Sequence, residues 1–155
     1  MLQNTDVSHQ KLLAEAVKNE MERRKCRSFL EFVRRAWPVV EPGVKYQHGW
    51  HIDAITEHLS AVSSGEIKRL LINIPPRHGK STLISVLWPC WEWTFAPHHK
   101  YLCASYSNIL SIRDNIAARR LINSNWYQNL WGDVFRFTDD QNQKMRFGND
   151  KSGYR

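Results

Sequence analysis

The chain has 155 residues, enough for one domain with a hydrophobic core. Apolar residues make up 42% of the sequence and aromatic residues 12%, which excludes an intrinsically disordered chain. The formal net charge of +7 favours an anionic partner such as nucleic acid, a nucleotide or an acidic protein, although ordinary solubility explains it equally well.

The first part of the chain is predicted to be helical. Asp6 can cap a first helix whose apolar residues recur at helical spacing. Ser28 and Glu31 form a Ser-x-x-Glu capping box before a second helix, which Pro38 is expected to end. After a turn-rich stretch, apolar residues at helical spacing over residues 52–62 predict a third helix.

The pattern changes after the third helix. Residues 69–74 form a short apolar run suited to a buried strand, and residues 83–95 indicate a helix kinked at Pro89. Residues 100–105 predict a second strand, and residues 107–122 predict another helix. Strand, helix, strand, helix is typical of an α/β fold with a parallel sheet.

We expect two regions, a helical lead over residues 1–40 and a domain over residues 41–155. The end of this domain, from residue 125, is turn-rich, with one strand predicted near residues 144–147. The three cysteines lack C-x-x-C spacing, and two lie in apolar runs, so reduced core thiols are expected rather than a zinc site. The polar N-terminus and the absence of a long apolar run predict a soluble, intracellular protein.

The chemistry is predicted in the loop after the first strand, Pro75-Pro76-Arg77-His78-Gly79-Lys80-Ser81-Thr82. Its Gly-Lys-Ser end matches the end of the phosphate-binding loop pattern. The N–H groups and dipole at a helix start favour phosphate, and Gly79 allows the backbone to approach it closely. Lys80 would contact the β- and γ-phosphates of a nucleotide, and the Ser81 hydroxyl would ligate Mg²⁺.

This loop motif is incomplete. The full pattern G-x-x-x-x-G-K-[ST] has a glycine at the position of Ile74. Gly-Lys-Ser alone is common by chance, and the alternative is a surface loop that caps a helix with a solvated lysine. The apolar run before the loop and the apolar helix after it favour nucleotide binding.

The segment IKRLLINIPPRHGKSTLISVLWPCWEWTFAPHHKYLCASYSN, followed by LSIRDN and LINSNWYQNLWGD, resembles the ATPase domain of tailed-phage terminase large subunits. The form PPRHGKS, without the first glycine, is similar to the loop of many terminases. ASYS with a basic helix behind it is a second match. The resemblance implies a RecA/ASCE-like P-loop NTPase fold, here incomplete. It also implies a motor that hydrolyses ATP to move double-stranded DNA through a portal into a capsid, with a separate nuclease domain.

The resemblance also implies roles for single residues. Lys80 and Arg77 would be catalytic, because Arg77 matches an arginine that stabilises the γ-phosphate as its negative charge spreads. Gln47 would read the adenine edge, and Tyr46 would stack on the ring, with His51 as a competitor. The expected cofactors are ATP and Mg²⁺, with Ser81 as the metal ligand. The nucleotide-binding set is Tyr46, Gln47, Pro76, Arg77, His78, Gly79, Lys80, Ser81 and Thr82.

Other polar and aromatic residues carry weaker expectations. The polar residues from Ser105 to Asn108 would lie at the carboxyl end of the second strand, where α/β sheets bind ligands. Arg113 and Arg120 share a helix face that would contact DNA phosphates or simply be solvated. The aromatic residues between 126 and 131 are expected to pack in the core.

Acidic catalytic residues are missing from the sequence after the loop. No apolar run of four residues leads into an acidic pair, and Asp139-Asp140 does not follow a buried strand. The aspartate that holds Mg²⁺, the glutamate that activates water and a nuclease acidic cluster are therefore absent. The chain is interpreted as a truncated part whose own ATP hydrolysis is slow or nil.

Two alternatives to a terminase motor part stay open. One is another P-loop enzyme such as a helicase or small kinase, and the other is a non-catalytic module that binds nucleic acid or a protein partner. The resemblance implies double-stranded DNA, a portal protein and a small terminase subunit as partners. It also implies an oligomeric ring at the portal, in the cytoplasm of a bacterial host.

Overall fold

The computed structural model describes residues 3–138 and 146–155. A π-helical segment, Thr82–Leu87, continues directly into an α-helix that begins at Trp88. None of the helices in these ranges is both long and apolar enough to cross a membrane. The α-helices are α1 (Gln3–Lys25), α2 (Phe29–Val40), α3 (Trp50–Ser63), α4 (Trp88–Glu92), α5 (Asn108–Ile122) and α6 (Asn125–Trp131).

The predicted parallel sheet, and with it the RecA/ASCE-like P-loop fold, is wrong: the described residues contain isolated bridges but no strand. Residues 69–74 are half-buried, with Leu70 and Ile72 against the core and Leu71 87% exposed. An apolar run predicts extended backbone, but a strand also needs a hydrogen-bonded neighbour. No such neighbour pairs with residues 69–74 within the described ranges.

The second predicted strand also lacks a sheet. The Tyr101 N–H donates to the Tyr154 carbonyl oxygen at 2.9 Å, so residues 100–101 pair with the end of the described chain. Leu102 beyond them is 98% exposed. The strand predicted at residues 144–147 lies partly outside the described residues, and Phe147, within them, exchanges two backbone hydrogen bonds with Arg155.

Helices form where their spacing predicts them, but α1 begins at Gln3, before the predicted cap Asp6, and its apolar residues Leu13, Val17 and Met21 are exposed. The signals at the ends of α2 also proved wrong. Ser28 occupies the N-cap position without a side-chain capping bond. Glu31 does not reach back toward it, because its carboxylate accepts from Arg34 at 2.7 Å. Pro38 lies inside α2 rather than ending it, and the helical pattern continues as the Glu41 N–H donates to the Trp37 carbonyl at 2.8 Å.

The core forms where α2, the π-helical segment, α5 and α6 meet. Phe32 of α2 is fully buried, and its ring lies 5.5 Å from Trp126, 6.4 Å from Tyr127 and 5.7 Å from Trp131. Tyr127 and Trp131 are buried and Trp126 is half-buried, which confirms the prediction that these aromatic residues pack in the core. Hydrophobic burial of this kind is the main favourable term in folding.

The irregular helix at residues 82–92 is explained by Pro89. Proline has no N–H, so it interrupts the backbone hydrogen-bond pattern of the helix. The Arg155 guanidinium donates to the Ser85 carbonyl and, at 2.9 Å, to Asn115 Oδ1 of α5. Just before the proline, the Trp88 N–H donates to the Leu83 carbonyl, the i→i−5 pattern of a π-helix. The helix predicted over residues 83–95 forms over residues 82–92, with Pro89 inside it.

The three thiols are free. Cys26 and Cys90 are buried and Cys103 is exposed. Burial raises the pKa of the Cys26 thiol to about 11 and that of Cys90 to about 12, so both stay protonated at neutral pH. Of the two cysteines in apolar runs, Cys90 is a core thiol as expected but Cys103 is exposed, and Cys26, in a charged stretch, is buried instead.

We predict that Tyr127→Phe destabilises the protein by about 1–3 kcal/mol. The Tyr127 hydroxyl is buried and donates to the Cys90 carbonyl at 2.8 Å, so its removal leaves a buried acceptor without a partner. Urea denaturation measures the change. Tyr106→Phe is the matched control, because Tyr106 is 96% exposed. The free energy of unfolding of this variant should stay within about 0.5 kcal/mol of that of the unmodified chain. Equal midpoints for the two variants would contradict this assignment.

Candidate functional site

The backbone of the Gly-Lys-Ser loop turns sharply before the helix that follows it. Arg77 has φ 68° and Gly79 has φ 72°, both in the left-handed region. A non-glycine residue with this φ is uncommon and points to a constrained site. Left-handed residues alternating with right-handed ones turn successive N–H groups toward one side, which is the geometry of anion-binding nests.

Helical residues begin at Lys80, directly after this turn. The Leu83 N–H donates to the Gly79 carbonyl at 2.9 Å, so Gly79 supplies the first carbonyl of the helical pattern. The N–H groups of the first turn have no acceptor within their own helix, and the helix dipole adds partial positive charge there. The loop therefore combines free donors with a favourable field for an anion.

The cationic side chains of the loop are free to take a ligand. Arg77 and Lys80 are exposed, and neither has a hydrogen-bond or ion-pair partner among the described residues. Ser81 is also exposed. His78 Nδ1 lies 2.9 Å from the Pro76 carbonyl oxygen of the same loop. Because a carbonyl oxygen only accepts, Nδ1 is the donor.

A cleft of about 620 Å³ lies beside the loop. Arg77, His78 and Gly79 form one wall with Leu83, and the other residues come from the end of α2, the 43–48 connection and the start of α3. Gln47 lines this cleft as predicted for a base-reading residue, and so does His51, whose ring lies 5.5 Å from that of His78. The volume is in the range of small-molecule sites.

Tyr46 does not line this cleft. Its ring packs edge-on against Trp37 at 5.6 Å between centroids. Its hydroxyl lies 3.0 Å from His48 Nδ1. The structure therefore brings Gln47 to the phosphate loop but directs Tyr46 into contacts with its neighbours.

A second cleft, of about 590 Å³, lies between Thr82, the end of α2 and one face of α5. Arg113 and Arg120 both line it, as their shared helix face predicts. Arg113 is paired with Asp114 at 2.8 Å, whereas Arg120 is exposed without a partner among the described residues. Thr82 donates to Glu41 Oε1 at 3.4 Å in this cleft. Neither cleft is lined by Ser105, Ser107 or Asn108.

Ser81 is the metal ligand that the sequence predicts in this loop. No cluster of three or more His, Cys, Asp or Glu side chains able to bind a metal occurs in the part of the chain that the structure describes. Mg²⁺ in phosphate sites keeps several waters and takes few protein ligands besides phosphate oxygens. The exposed Ser81 hydroxyl can serve as one such ligand. Asp139 and Asp140 lie outside the described residues.

Comparison with known proteins gave no match to a family model, a curated protein or a solved structure.

Two features of the site were missed from the sequence. Trp37 lies under the loop, with a ring carbon 3.5 Å from where a Cβ on Gly79 would be. His48 contacts Asp53 of α3, with Nε2 2.9 Å from Oδ2. A histidine five residues before an aspartate is too weak a pattern to predict this contact, and no sequence signal places Trp37 below a loop forty residues away.

We predict that Gly79→Ala destabilises the protein by about 1–2 kcal/mol, because an L-residue is strained at φ 72°. The added methyl would meet Trp37 only at ordinary contact distance, so the backbone, not a clash, causes the loss. Gly43→Ala is the control, since Gly43 has no positive φ and open space around it. Thermal and urea unfolding measure both variants, and equal loss in both would show that the left-handed turn is misplaced.

Proposed function

We propose that this chain binds ATP with Mg²⁺ at residues 76–82, as the nucleotide-binding part of a viral DNA-packaging motor similar to terminase large subunits. The observation that carries the proposal is the pair of left-handed residues, Arg77 and Gly79, directly before a helix that begins at Lys80. This arrangement offers N–H donors and positive charge to a phosphate chain. It does so without the sheet that the sequence predicted.

The phosphate chain would be bound by backbone and side chains together. Lys80 supplies a charge to the β- and γ-phosphates, and Arg77 supplies a second charge to the γ-phosphate. Both are unpaired among the described residues, so binding breaks no existing ion pair. Ser81 would be the protein ligand to Mg²⁺, whose charge neutralises the phosphate oxygens that it bridges.

The base would lie in the cleft beside the loop. Gln47 faces this space, and its amide can both donate to and accept from the adenine edge. Trp37 and Val44 supply apolar contact surface to a planar ring. The cleft volume of about 620 Å³ accommodates a nucleoside.

We further propose that this chain binds ATP without appreciable turnover. Hydrolysis needs a carboxylate that holds Mg²⁺ and one that activates water. The sequence after the loop lacks a matching acidic pair. Double-stranded DNA, a portal protein, a small terminase subunit, a ring at the portal and the bacterial cytoplasm belong to the proposal through the resemblance alone.

We predict that Lys80→Ala weakens MgATP binding at least about tenfold, because a charge-assisted contact to the phosphates is lost. Isothermal titration calorimetry at fixed ionic strength measures the dissociation constant. Lys18→Ala is the control, since Lys18 is an exposed lysine on α1 and its removal changes net charge equally. The same affinity in both variants, or no binding by the unmodified chain, would contradict the proposal.

A further inference from the structure

A hydrogen-bonded relay surrounds Gln47. The Tyr46 hydroxyl lies 3.0 Å from His48 Nδ1, and His48 Nε2 lies 2.9 Å from Asp53 Oδ2. Tyr46 and His48 are the two sequence neighbours of Gln47, and Asp53 belongs to the first turn of α3. Tyr46 and His48, which flank Gln47, are therefore hydrogen-bonded to each other, and His48 is also hydrogen-bonded to α3.

The chemistry of the partners determines where the protons lie. The Asp53 carboxylate only accepts, so His48 donates through Nε2–H. In a neutral imidazole, Nδ1 then accepts from the Tyr46 hydroxyl. Burial raises the pKa of Tyr46, which keeps this hydroxyl protonated as the donor. The relay thus has one consistent direction, from Tyr46 through His48 to Asp53.

The Tyr46 end of the relay packs against Trp37, which contacts the Gly-Lys-Ser loop. The Tyr46 ring packs against Trp37, whose Nε1–H donates to the Val44 carbonyl at 2.9 Å. The Trp37 ring in turn lies beneath Gly79. Contacts therefore run from Asp53 through the 44–48 segment to the loop, and they fix both sequence neighbours of Gln47 relative to Gly79.

We infer that His48 is a positioning residue that orients Gln47 toward the bound base and so sets the preference for adenine over guanine nucleotides. This inference rests on the proposed nucleotide binding. A hydrogen bond to a base discriminates only if its donor and acceptor are held in place. The phosphate contacts come from residues 76–82 and do not involve His48.

Because the relay is exposed, an effect of His48 on base selectivity can be separated from an effect on stability. The His48 side chain is 38% exposed and that of Asp53 is 48% exposed. Exposed polar pairs contribute little to folding free energy. Loss of His48 should therefore change base selectivity while the fold persists.

The experiment compares dissociation constants for MgATP, MgGTP and magnesium tripolyphosphate in four proteins. These are the unmodified chain, His48→Leu, Tyr46→Phe and His58→Leu. His58 is the control, because its Nδ1 contacts its own helix, at the Ala54 carbonyl 2.7 Å away, and it lines neither cleft. His48 lines the cleft together with Gln47, so Tyr46→Phe, whose side chain does not line it, separates positioning of Gln47 from direct contact with the base.

The unmodified chain is expected to prefer ATP to GTP. His48→Leu should reduce this preference about three- to tenfold, the effect of one misplaced hydrogen bond. Tripolyphosphate affinity should stay within about twofold, because it reports the loop alone. Tyr46→Phe should shift the preference in the same direction by a smaller factor, and His58→Leu should leave it unchanged.

Each contrary outcome has a distinct meaning. An unmodified chain that binds neither ATP nor tripolyphosphate overturns the proposed function and this inference together. Binding of ATP and GTP with equal affinity, or an unchanged preference in both His48→Leu and Tyr46→Phe, overturns the inference alone. Loss of tripolyphosphate binding in His48→Leu also overturns it, since His48 would then support the loop rather than Gln47. Tyr46→Phe decides the question if His48→Leu does not fold.

Discussion

The left-handed backbone at Gly79 is the constraint on which the candidate site depends. Gly79, at φ 72°, lies directly before the helix that begins at Lys80. That turn is what leaves the first-turn N–H groups facing open space, together with Lys80 and Ser81. Arg77, also left-handed, turns the preceding peptide toward the same region. Without this turn, Arg77 and Lys80 would still be exposed cations, but the first-turn N–H donors would not be grouped beside them.

The core keeps this turn in place. Leu83 and Val86, immediately behind the loop, are buried among the helices of the core. The Ser85 carbonyl accepts a hydrogen bond from Arg155, which also bonds to α5. The irregular helix is therefore fixed at both ends, by packing near the loop and by a guanidinium near the proline. Such support matters because a binding site is effective only when its parts are held by rigid neighbours.

The sequence predicted the local features of the site better than its architecture. Helical spacing indicated the helices, including the one that follows the Gly-Lys-Ser loop, whereas Gly79 was expected only to let the backbone approach a phosphate closely. The prediction of a sheet was wrong because the apolar residues of 69–74 can pack on the core without pairing to another segment. Periodicity indicates which residues are buried, but it does not indicate which segments pair. The positive φ of Arg77 and the contact of Trp37 beneath Gly79 depend on tertiary structure, and residue type alone does not predict them.

The most direct test of the account is to observe the loop while it meets a phosphate chain. Backbone amide resonances of the ¹⁵N-labelled chain can be followed during titration with magnesium tripolyphosphate. The account predicts saturable shifts concentrated at residues 77–82, with smaller changes at Trp37 and Gln47, which line the adjoining cleft. Shifts confined to Arg113 and Arg120 of the second cleft, with residues 77–82 unmoved, would contradict it.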